Sequence, residues 1–325
     1  MVFARTMKRG KRIAAVVATI GIGTVMAGCQ RDAAPDAAAQ AKASAAQSAF
    51  QAEQDAWRQQ RREQLLQPDG WTSLIALHWL EYRAHYVGSS PDNGVRLALG
   101  PPELGIVRLE RDGSASFAPA RGVQATVDGQ PITGQAALRS DANGQTASVV
   151  GFDEGKGQAM VIKRGDRYAL RVKHADAITR TKFANLDYWP ADPAWRVQAR
   201  FVAHPPGRTL PIANIIGTVD AMPNPGVVEF ERDGETYRLE ALDQGDGGLF
   251  LIFADRSNGR GSYSAGRFLD APLPAADGSV VLDFNRAYNP PCVFTAYATC
   301  PLPPNENRLN LAIEAGEKNY LKPKS

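Results

Sequence analysis

From Val95 to Ile313 the sequence consists of short runs rich in β-branched and aromatic residues, separated by Gly, Pro, Asp and Asn. Turn dipeptides lie between several of these runs, for example Asp112-Gly113, Asp128-Gly129 and Gly165-Asp166, and such dipeptides favour tight connections between antiparallel strands. No stretch alternates long helices with strands, so a parallel α/β sheet is not expected. The pattern predicts an all-β, mainly antiparallel fold made of two packed halves, each built as a β sandwich or barrel.

The predicted strands fall into two groups on either side of a connector at about Asn185–Pro193. In the first half, residues 71–184, the predicted strands are Val95–Leu99, Gly105–Arg111, Ser114–Ala118, Gln124–Val127, Ala147–Val150, Ala159–Arg164 and Tyr168–Val172. In the second half, residues 185–325, they are Arg196–Ala203, Leu210–Val219, Gly226–Arg232, Glu235–Leu242, Leu249–Ala254, Gly266–Leu269, Val280–Phe284 and Leu309–Ile313. Apolar residues alternate with Arg and Gln in the first strand of this second group, as expected for a strand with one buried face.

A helix is expected before the first strand. From Ser48 onward, apolar residues recur among Gln, Glu and Arg until Pro68 and Gly70 interrupt the pattern. This arrangement predicts an N-terminal amphipathic helical segment over residues 48–70. The next run, Trp71–Leu80, is largely apolar and fits either a buried strand or a short helix, because periodicity does not separate the two over so few residues.

The first 28 residues have the parts of an export signal, namely a basic start, the apolar run Ile13–Met26 and small residues. That run is shorter than the ~20 apolar residues of a membrane-spanning helix. Met26-Ala27-Gly28-Cys29 resembles the lipobox of bacterial lipoproteins, which implies cleavage before Cys29 and acylation of that cysteine, for example with palmitate. The alternative is ordinary secretion, with Cys29 at the cleavage site by chance.

The segment after the signal predicts how the chain is attached. Residues 29–47 are rich in Ala and polar residues and have no apolar periodicity, which predicts a disordered tether. Gln30 follows the cysteine, and in lipoproteins a residue other than Asp at that place favours delivery to the outer membrane. Several acyl chains anchor a protein stably where a single chain is marginal. We therefore expect the membrane to be a partner through lipidated Cys29, with the chain on the outer membrane and facing the periplasm.

A nucleic-acid partner is not expected, because the excess of basic residues lies in the export signal. The chain has 37 Lys and Arg against 34 Asp and Glu. The first 28 residues contain no acid and five basic residues, which are Arg5, Lys8, Arg9, Lys11 and Arg12. Without them, 32 basic residues face 34 acidic ones, a net charge of −2. Binding to a phosphate backbone needs a clustered positive surface, which this composition does not indicate.

Export also affects how the other cysteines are interpreted. With Cys29 assigned to the anchor, Cys292 and Cys300 remain, and an exported pair this close together in a Pro-flanked loop favours a disulfide. The alternatives are a free nucleophile or half of a zinc site, although no His follows His204 and there is no CxxC. Neither a metal nor another cofactor is expected.

The last fifth of the chain carries its most distinctive motifs. They are GRFL at Gly266–Leu269, LDFNRAYNPPC at Leu282–Cys292, CPLPPNENRL at Cys300–Leu309 and AGEK at Ala315–Lys318. Together they closely resemble the domain of unknown function (DUF) family 1684, found in bacteria and archaea, and the resemblance extends from about Trp71 to Tyr320. Because the family has no assigned activity, the resemblance implies none for this chain.

A second resemblance concerns the first half. Gly88-Ser-Ser-Pro-Asp-Asn93, followed by Val95 and Leu97, resembles the start of a forkhead-associated β-sandwich. Ser89 stands where that family has its phosphate-binding Arg. The resemblance therefore implies a sandwich over residues 71–184 and does not imply phosphopeptide binding.

The motif region Asp283–Lys318 is the predicted site. Loops on a rigid β scaffold are frequent locations for sites, and prolines that fix the backbone hold this loop in place. The candidate general acids or bases are Asp283, Glu306 and Glu317. The candidate ligand-binding residues are Arg267, Asn285, Arg286, Asn289, Asn307 and Lys318, with Tyr288 and Tyr297 as a stacking wall.

Three functional hypotheses follow from this region. The first is a membrane-anchored envelope lipoprotein with a small-molecule or glycan-binding pocket at the motif region. The second is a hydrolase that uses Asp283 or Glu306 as a general acid or base beside Arg267. The third is a structural envelope protein without a ligand, in which the same polar residues bond loop backbone and stabilise the fold.

Overall fold

An N-terminal helix leads into two β-rich halves in the computed structural model of the protein, which describes residues 37–322. The predicted export signal, Cys29 and the first part of the predicted tether lie outside the described residues. Residues from Ala46 onward form one compact unit that contains both halves. No helix within residues 37–322 is long and apolar enough to cross a membrane.

Helix α1 spans Ala37–Leu65. It begins inside the segment predicted as a disordered tether, so residues 37–47 are helical instead, and the strong helix propensity of alanine accounts for this. The helix buries Phe50, Gln54 and Leu65. The predicted amphipathic helix is confirmed, and its buried residues lie in the part that belongs to the compact unit.

The first half is a sandwich of two sheets. Its strands are β1 (Leu74–Leu80), β2 (Ala84–Gly88), β3 (Val95–Arg96), β4 (Gly105–Leu109), β5 (Ala115–Pro119), β6 (Ala125–Val127), β7 (Gln130–Ile132), β8 (Ala136–Leu138), β9 (Val150–Phe152), β10 (Gly157–Arg164) and β11 (Arg167–His174). The strand order is β1-β11-β10-β9-β6-β7 in the six-stranded sheet and β3-β2-β4-β5-β8 in the five-stranded sheet, with β2–β3 as the parallel pair. Val161, Leu170 and Val172 of the first sheet share one buried cluster with Val107 and Phe117 of the second.

The second half packs a four-stranded sheet against a hairpin. The short helix α2 (Ile178–Thr181) ends the first half. The strands of the second half are β12 (Arg196–Ala203), β13 (Thr209–Ala213), β14 (Val219–Pro223), β15 (Gly226–Arg232), β16 (Glu235–Ala241), β17 (Gly248–Phe253), β18 (Arg267–Pro272) and β19 (Ser279–Asp283). The sheet has the order β16-β15-β12-β19, and β13–β14 and β17–β18 are two-stranded. Val228 and Leu239 of the sheet share a buried cluster with Leu251 and Leu269 of the second hairpin.

Short 3₁₀ helices connect several strands. They span Trp71–Ser73, Ala142–Gly144, Asp153–Gly155, Pro193–Trp195, Phe284–Arg286, Pro291–Val293 and Asn305–Asn307. Three of them lie in the motif region, so this region is built from tight turns between prolines rather than from strands. The predicted fold class, mainly antiparallel sheets after an N-terminal helix, is confirmed.

In the first half, the predicted strand Ala147–Val150 overlaps β9 only at Val150. Two strand predictions in the second half are wrong. The predicted strand Leu210–Val219 is interrupted by the turn of the β13–β14 hairpin, where Asn214 Oδ1 accepts hydrogen bonds from the backbone N–H groups of Ile216 at 3.2 Å and Thr218 at 3.1 Å. Leu309–Ile313 forms no strand, although its apolar side chains enter the core of the second half. Both errors arise because an apolar run indicates burial and does not by itself indicate strand pairing.

The six-stranded sheet determines which side chains of the first half reach the second half. The run Trp71–Leu80, which fitted either a strand or a helix, forms a 3₁₀ turn followed by β1, and β1 pairs with β11. Successive side chains of a strand point to opposite faces. Leu170 and Val172 of β11 therefore enter the sandwich core, whereas Arg171 lies on the opposite face, where it is only 7% exposed.

Candidate functional site

Arg267, a predicted ligand-binding residue, is part of the protein interior. Its side chain is 0% exposed. The guanidinium donates to Asp255 Oδ2 at 2.9 Å and to the carbonyl of Ile313 at 2.7 Å, and also to the carbonyl of Ala315. Burial lowers the pKa of Arg267, and the charge of Asp255 opposes this. These contacts tie β18 to the C-terminal segment and leave the side chain no surface for a ligand.

Asp283 and Arg286 join α1 to the second half. Asp283 Oδ2 accepts hydrogen bonds from Arg196 Nη2 at 2.8 Å and from Gln54 Nε2 at 2.9 Å. Arg286 Nε lies 3.5 Å from the same oxygen, and Glu53 of the helix pairs with both Arg196 and Arg286. A carboxylate that accepts hydrogen bonds from several side chains in this way is part of a structural cluster.

Asn285 and Asn289 satisfy loop backbone. Asn285 is 0% exposed, accepts from the backbone N–H of Asp192 at 2.9 Å and donates to its carbonyl at 2.9 Å. Asn289 is also 0% exposed and donates to the carbonyl of Lys318 at 2.7 Å. The Lys318 side chain lies 3.5 Å from Asp187 Oδ2. Each amide replaces hydrogen bonds that a regular strand would supply.

Asn307 and Glu306 are neighbours in sequence with opposite environments. Asn307 is 0% exposed. Its Oδ1 accepts from the backbone N–H of Glu240 at 2.6 Å, and its Nδ2 donates to the carbonyls of Glu240 and Ile252 at 2.9 Å each. Glu306 is exposed on the 3₁₀ helix Asn305–Asn307. The amide therefore connects β16 and β17, whereas the candidate acid points away from the cluster.

Glu317 links the motif region to α1. The side chain is 0% exposed and accepts from Arg61 Nε at 2.9 Å and from the backbone N–H of Asn289 at 2.8 Å. Gly316 before it has a φ of +76°, and a Cβ there would lie 2.4 Å from the carbonyl oxygen of Ala287. Glycine is required at this place because the backbone of the two segments is in close contact.

The predicted disulfide between Cys292 and Cys300 is confirmed. The two sulfur atoms are bonded, and the Cα atoms are 6.1 Å apart. The backbone N–H of Ile215 donates to the carbonyl of Cys300 at 2.9 Å, so the closed loop is attached to the β13–β14 hairpin. This loop forms one wall of a cavity that also contacts α1 and both β-rich halves.

The cavity has a volume of about 460 Å³ and lies between α1, the outer face of the six-stranded sheet, the β13–β14 and β17–β18 hairpins and the disulfide loop. Five aromatic residues contribute to its apolar surface. The rings of Phe250 and Phe268 are 4.9 Å apart, and those of Phe268 and Tyr288 are 5.7 Å apart, both edge-to-face. Trp57 and Trp71 complete this aromatic wall.

One polar group of the wall centres on Tyr288. Its hydroxyl donates to Asp270 Oδ1 at 3.1 Å, and the guanidinium carbon of Arg61 lies 4.6 Å from its ring centre. Burial raises the pKa of Tyr288, as does the charge of Asp270, so the phenol is a neutral donor at neutral pH. Burial likewise raises the pKa of Asp270, even though this carboxylate is accessible from the cavity.

A second polar group centres on Arg171. Its Nη2 donates to Thr299 Oγ1 at 3.3 Å, and its guanidinium carbon lies 5.5 Å from the ring centre of Trp71. Arg164 Nε donates to the same hydroxyl at 3.2 Å. Burial lowers the pKa of Arg171 to about 10, and the nearby charge of Arg164 acts in the same direction.

The structure thus separates the predicted site from the cavity. Among the described residues that line the cavity are Tyr288 and Cys300 of the predicted region, but neither the three candidate acids nor the six candidate ligand-binding residues. Sequence reasoning missed Arg171 and Thr299. A signal for Arg171 was present, because it stands between the apolar residues Leu170 and Val172 in a strand that was itself predicted.

Comparison with known protein families gives a match to the second half of the chain. Residues 181–318 match the family described as protein of unknown function (DUF1684). The chain belongs to this family through that segment, which contains the complete motif region. The match does not include residues 71–180, for which the resemblance was also expected.

One solved structure similar to this chain is the solution NMR structure of an uncharacterized protein from Haloarcula marismortui. The two are 31% identical, the alignment covers 43% of this chain and 78% of that one, and the TM-score is 0.36. None of the curated proteins matches this chain.

Proposed function

We propose that the protein is a membrane-anchored envelope lipoprotein that binds a small molecule in the cavity between α1 and its two β-rich halves. The observation that carries the proposal is the cavity itself, about 460 Å³ in volume, with an aromatic wall and two separate polar groups. Small-molecule sites in proteins are typically concave, mainly apolar and fitted with a few polar groups that fix orientation. The aromatic wall also suits the apolar face of a sugar ring, so glycans remain in the proposed ligand range.

The motif region has a supporting role in this proposal. Glu317 holds Arg61 against Tyr288, and the disulfide holds the loop that carries Thr299. Asp283 is engaged by Arg196 and Gln54, which favours binding over hydrolysis as the function. The distinctive motifs of the chain would then preserve the shape of the cavity.

A substitution that fills the cavity tests the proposal. Met222 lines the cavity, and its neighbour Ala221 on β14 is exposed. We expect some members of a metabolite and short-glycan library to raise the Tm of the full chain in detergent micelles, because ligands stabilise the folded state by mass action. We expect Met222→Trp to abolish those shifts, since the new ring occupies the binding volume.

Ala221→Trp is the matched control, because adjacent residues of a strand point to opposite faces. It should keep every ligand-dependent shift. Equal shifts in both variants, or a library without a single stabilising compound, would contradict binding in this cavity.

The anchor is tested separately. We expect acyl chains to be incorporated into the expressed protein and Cys29→Ser to abolish incorporation and to release the protein from membranes, because an anchor of this kind depends on the acylated cysteine. Metabolic labelling with a palmitate analogue and membrane fractionation measure both effects. Labelling that persists in Cys29→Ser would argue against lipidation at this residue.

A further inference from the structure

Arg171 differs from the other cations of the cavity wall in forming no ion pair within residues 37–322, although the lowering of its pKa by burial is opposed by the more distant charge of Asp141. Its side chain is 7% exposed, its Nε has no hydrogen-bond partner, and no carboxylate within residues 37–322 forms an ion pair with it. A buried cation is costly unless it is paired. The position therefore favours a negative group that enters from the cavity.

Two neighbours complete the surroundings of this guanidinium. Arg164 Nη1 lies 2.8 Å from Asp141 Oδ2, so the charge of Arg164 is already matched. Thr299 Oγ1 accepts from both Arg164 and Arg171. A hydroxyl that accepts from two donors keeps its own proton for donation, and that proton is available to an anion beside Arg171.

The charges at this end of the cavity favour a monoanion. Arg164 is paired with Asp141, and the carboxylates of Asp220 and Asp270 also line the cavity, so Arg171 offers one unpaired positive charge and further negative charge on a ligand is disfavoured. One carboxylate matches this charge and the planar geometry of a guanidinium, whereas a phosphate dianion would leave an uncompensated negative charge in a partly desolvated place. Trp71 lies beside Arg171 at 5.5 Å, and the apolar wall extends from it to Phe250 and Phe268.

We propose that the cavity takes a monocarboxylic acid with an apolar body, whose carboxylate is bound by Arg171 and Thr299 and whose body lies against the aromatic wall. This assignment rests on the proposed function, because it names the ligand class of the same cavity. It also explains an arginine in the middle of a buried strand that serves no ion pair among the described residues.

Calorimetric titration of the full chain with three matched probes tests the ligand class. The probes are 3-phenylpropionate, its neutral amide and phenethyl phosphate. We expect the carboxylate to bind at least tenfold more tightly than the amide, because only the carboxylate compensates Arg171. We expect the phosphate to bind no more tightly than the carboxylate, since its second charge has no partner.

The substitution Arg171→Met tests whether Arg171 binds the carboxylate. We expect it to weaken carboxylate binding at least tenfold, to the level of the amide, and to leave Tm unchanged or raised because a buried unpaired charge is removed. Arg167→Met is the matched control. Arg167 is exposed at the start of the same strand, outside the lining of the cavity, and its loss changes the net charge equally, so binding should be retained.

Several results would overturn the assignment. Equal affinity for acid and amide, or unchanged affinity in Arg171→Met, would contradict the carboxylate assignment. Ligand binding in the cavity would still be supported if Met222→Trp abolished it. Tighter binding of the phosphate would assign a dianion instead. A Tm lowered by several degrees in Arg171→Met would make Arg171 a structural cation. If none of the three probes binds, the carboxylate assignment is wrong. The library screen with Met222→Trp then tests the proposed function independently.

Discussion

Replacing Arg267 with alanine is expected to lower the free energy of unfolding by about 3–5 kcal/mol, because removal of one partner leaves a buried charge uncompensated. Asp255 would lose its ion-pair partner at 2.9 Å, and the carbonyls of Ile313 and Ala315 would lose their donor. Urea unfolding followed by circular dichroism measures the effect. Arg267→Lys should recover only part of the loss, because one ammonium does not reproduce the planar fork that reaches all three acceptors.

Arg260→Ala is a suitable control for this substitution. Arg260 is exposed in the loop before β18, and exposed substitutions usually change stability by less than about 0.5 kcal/mol. If Arg267→Ala left stability unchanged but eliminated ligand binding, the role predicted from the sequence would be correct and the structural role would be wrong.

Asn307→Ala is expected to lower the free energy of unfolding by about 2–4 kcal/mol, since each buried group left without its hydrogen bond costs roughly 1–3 kcal/mol. The amide of Asn307 serves the backbone N–H and carbonyl of Glu240 and the carbonyl of Ile252. The side chain is 0% exposed, so these backbone groups lie away from bulk water. The same unfolding measurement gives the loss.

The chain offers a matched control in Asn305, which is exposed on the same 3₁₀ helix. Asn305→Ala should change the unfolding free energy by less than about 0.5 kcal/mol. Similar losses in Asn305→Ala and Asn307→Ala would contradict the assignment, because the effect would then not depend on the buried hydrogen bonds.

Both predictions assign a structural role to the motif region, a role that the sequence did not distinguish from ligand binding. Asparagine, acids and arginine in a proline-rich loop suit ligand binding and backbone bonding equally well. From the sequence, Arg267 and Asn307 are candidate site residues in the same way as Glu306, which is exposed. Burial separates them, and burial depends on which segments pack against the loop.

The strand pattern illustrates the same limit at the level of the fold. Turn dipeptides and alternation predicted β10, β11, β15 and β16 with nearly correct bounds, since these signals are local. The prediction missed the division of Leu210–Val219 into two strands, because the turn depends on the side chain of Asn214. It also assigned a strand to Leu309–Ile313, where tertiary packing buries apolar residues without strand pairing.

Local sequence patterns predicted the amphipathic helix and the antiparallel strands, and they favoured the pairing of Cys292 with Cys300. The place where a ligand could bind followed only from tertiary packing. The cavity wall draws on residues as far apart as Trp57 and Pro301, and Arg171 reaches it because β11 turns its polar face away from the sandwich core. Local patterns specify how each segment folds, whereas a cavity is formed by what distant segments leave unfilled when they pack.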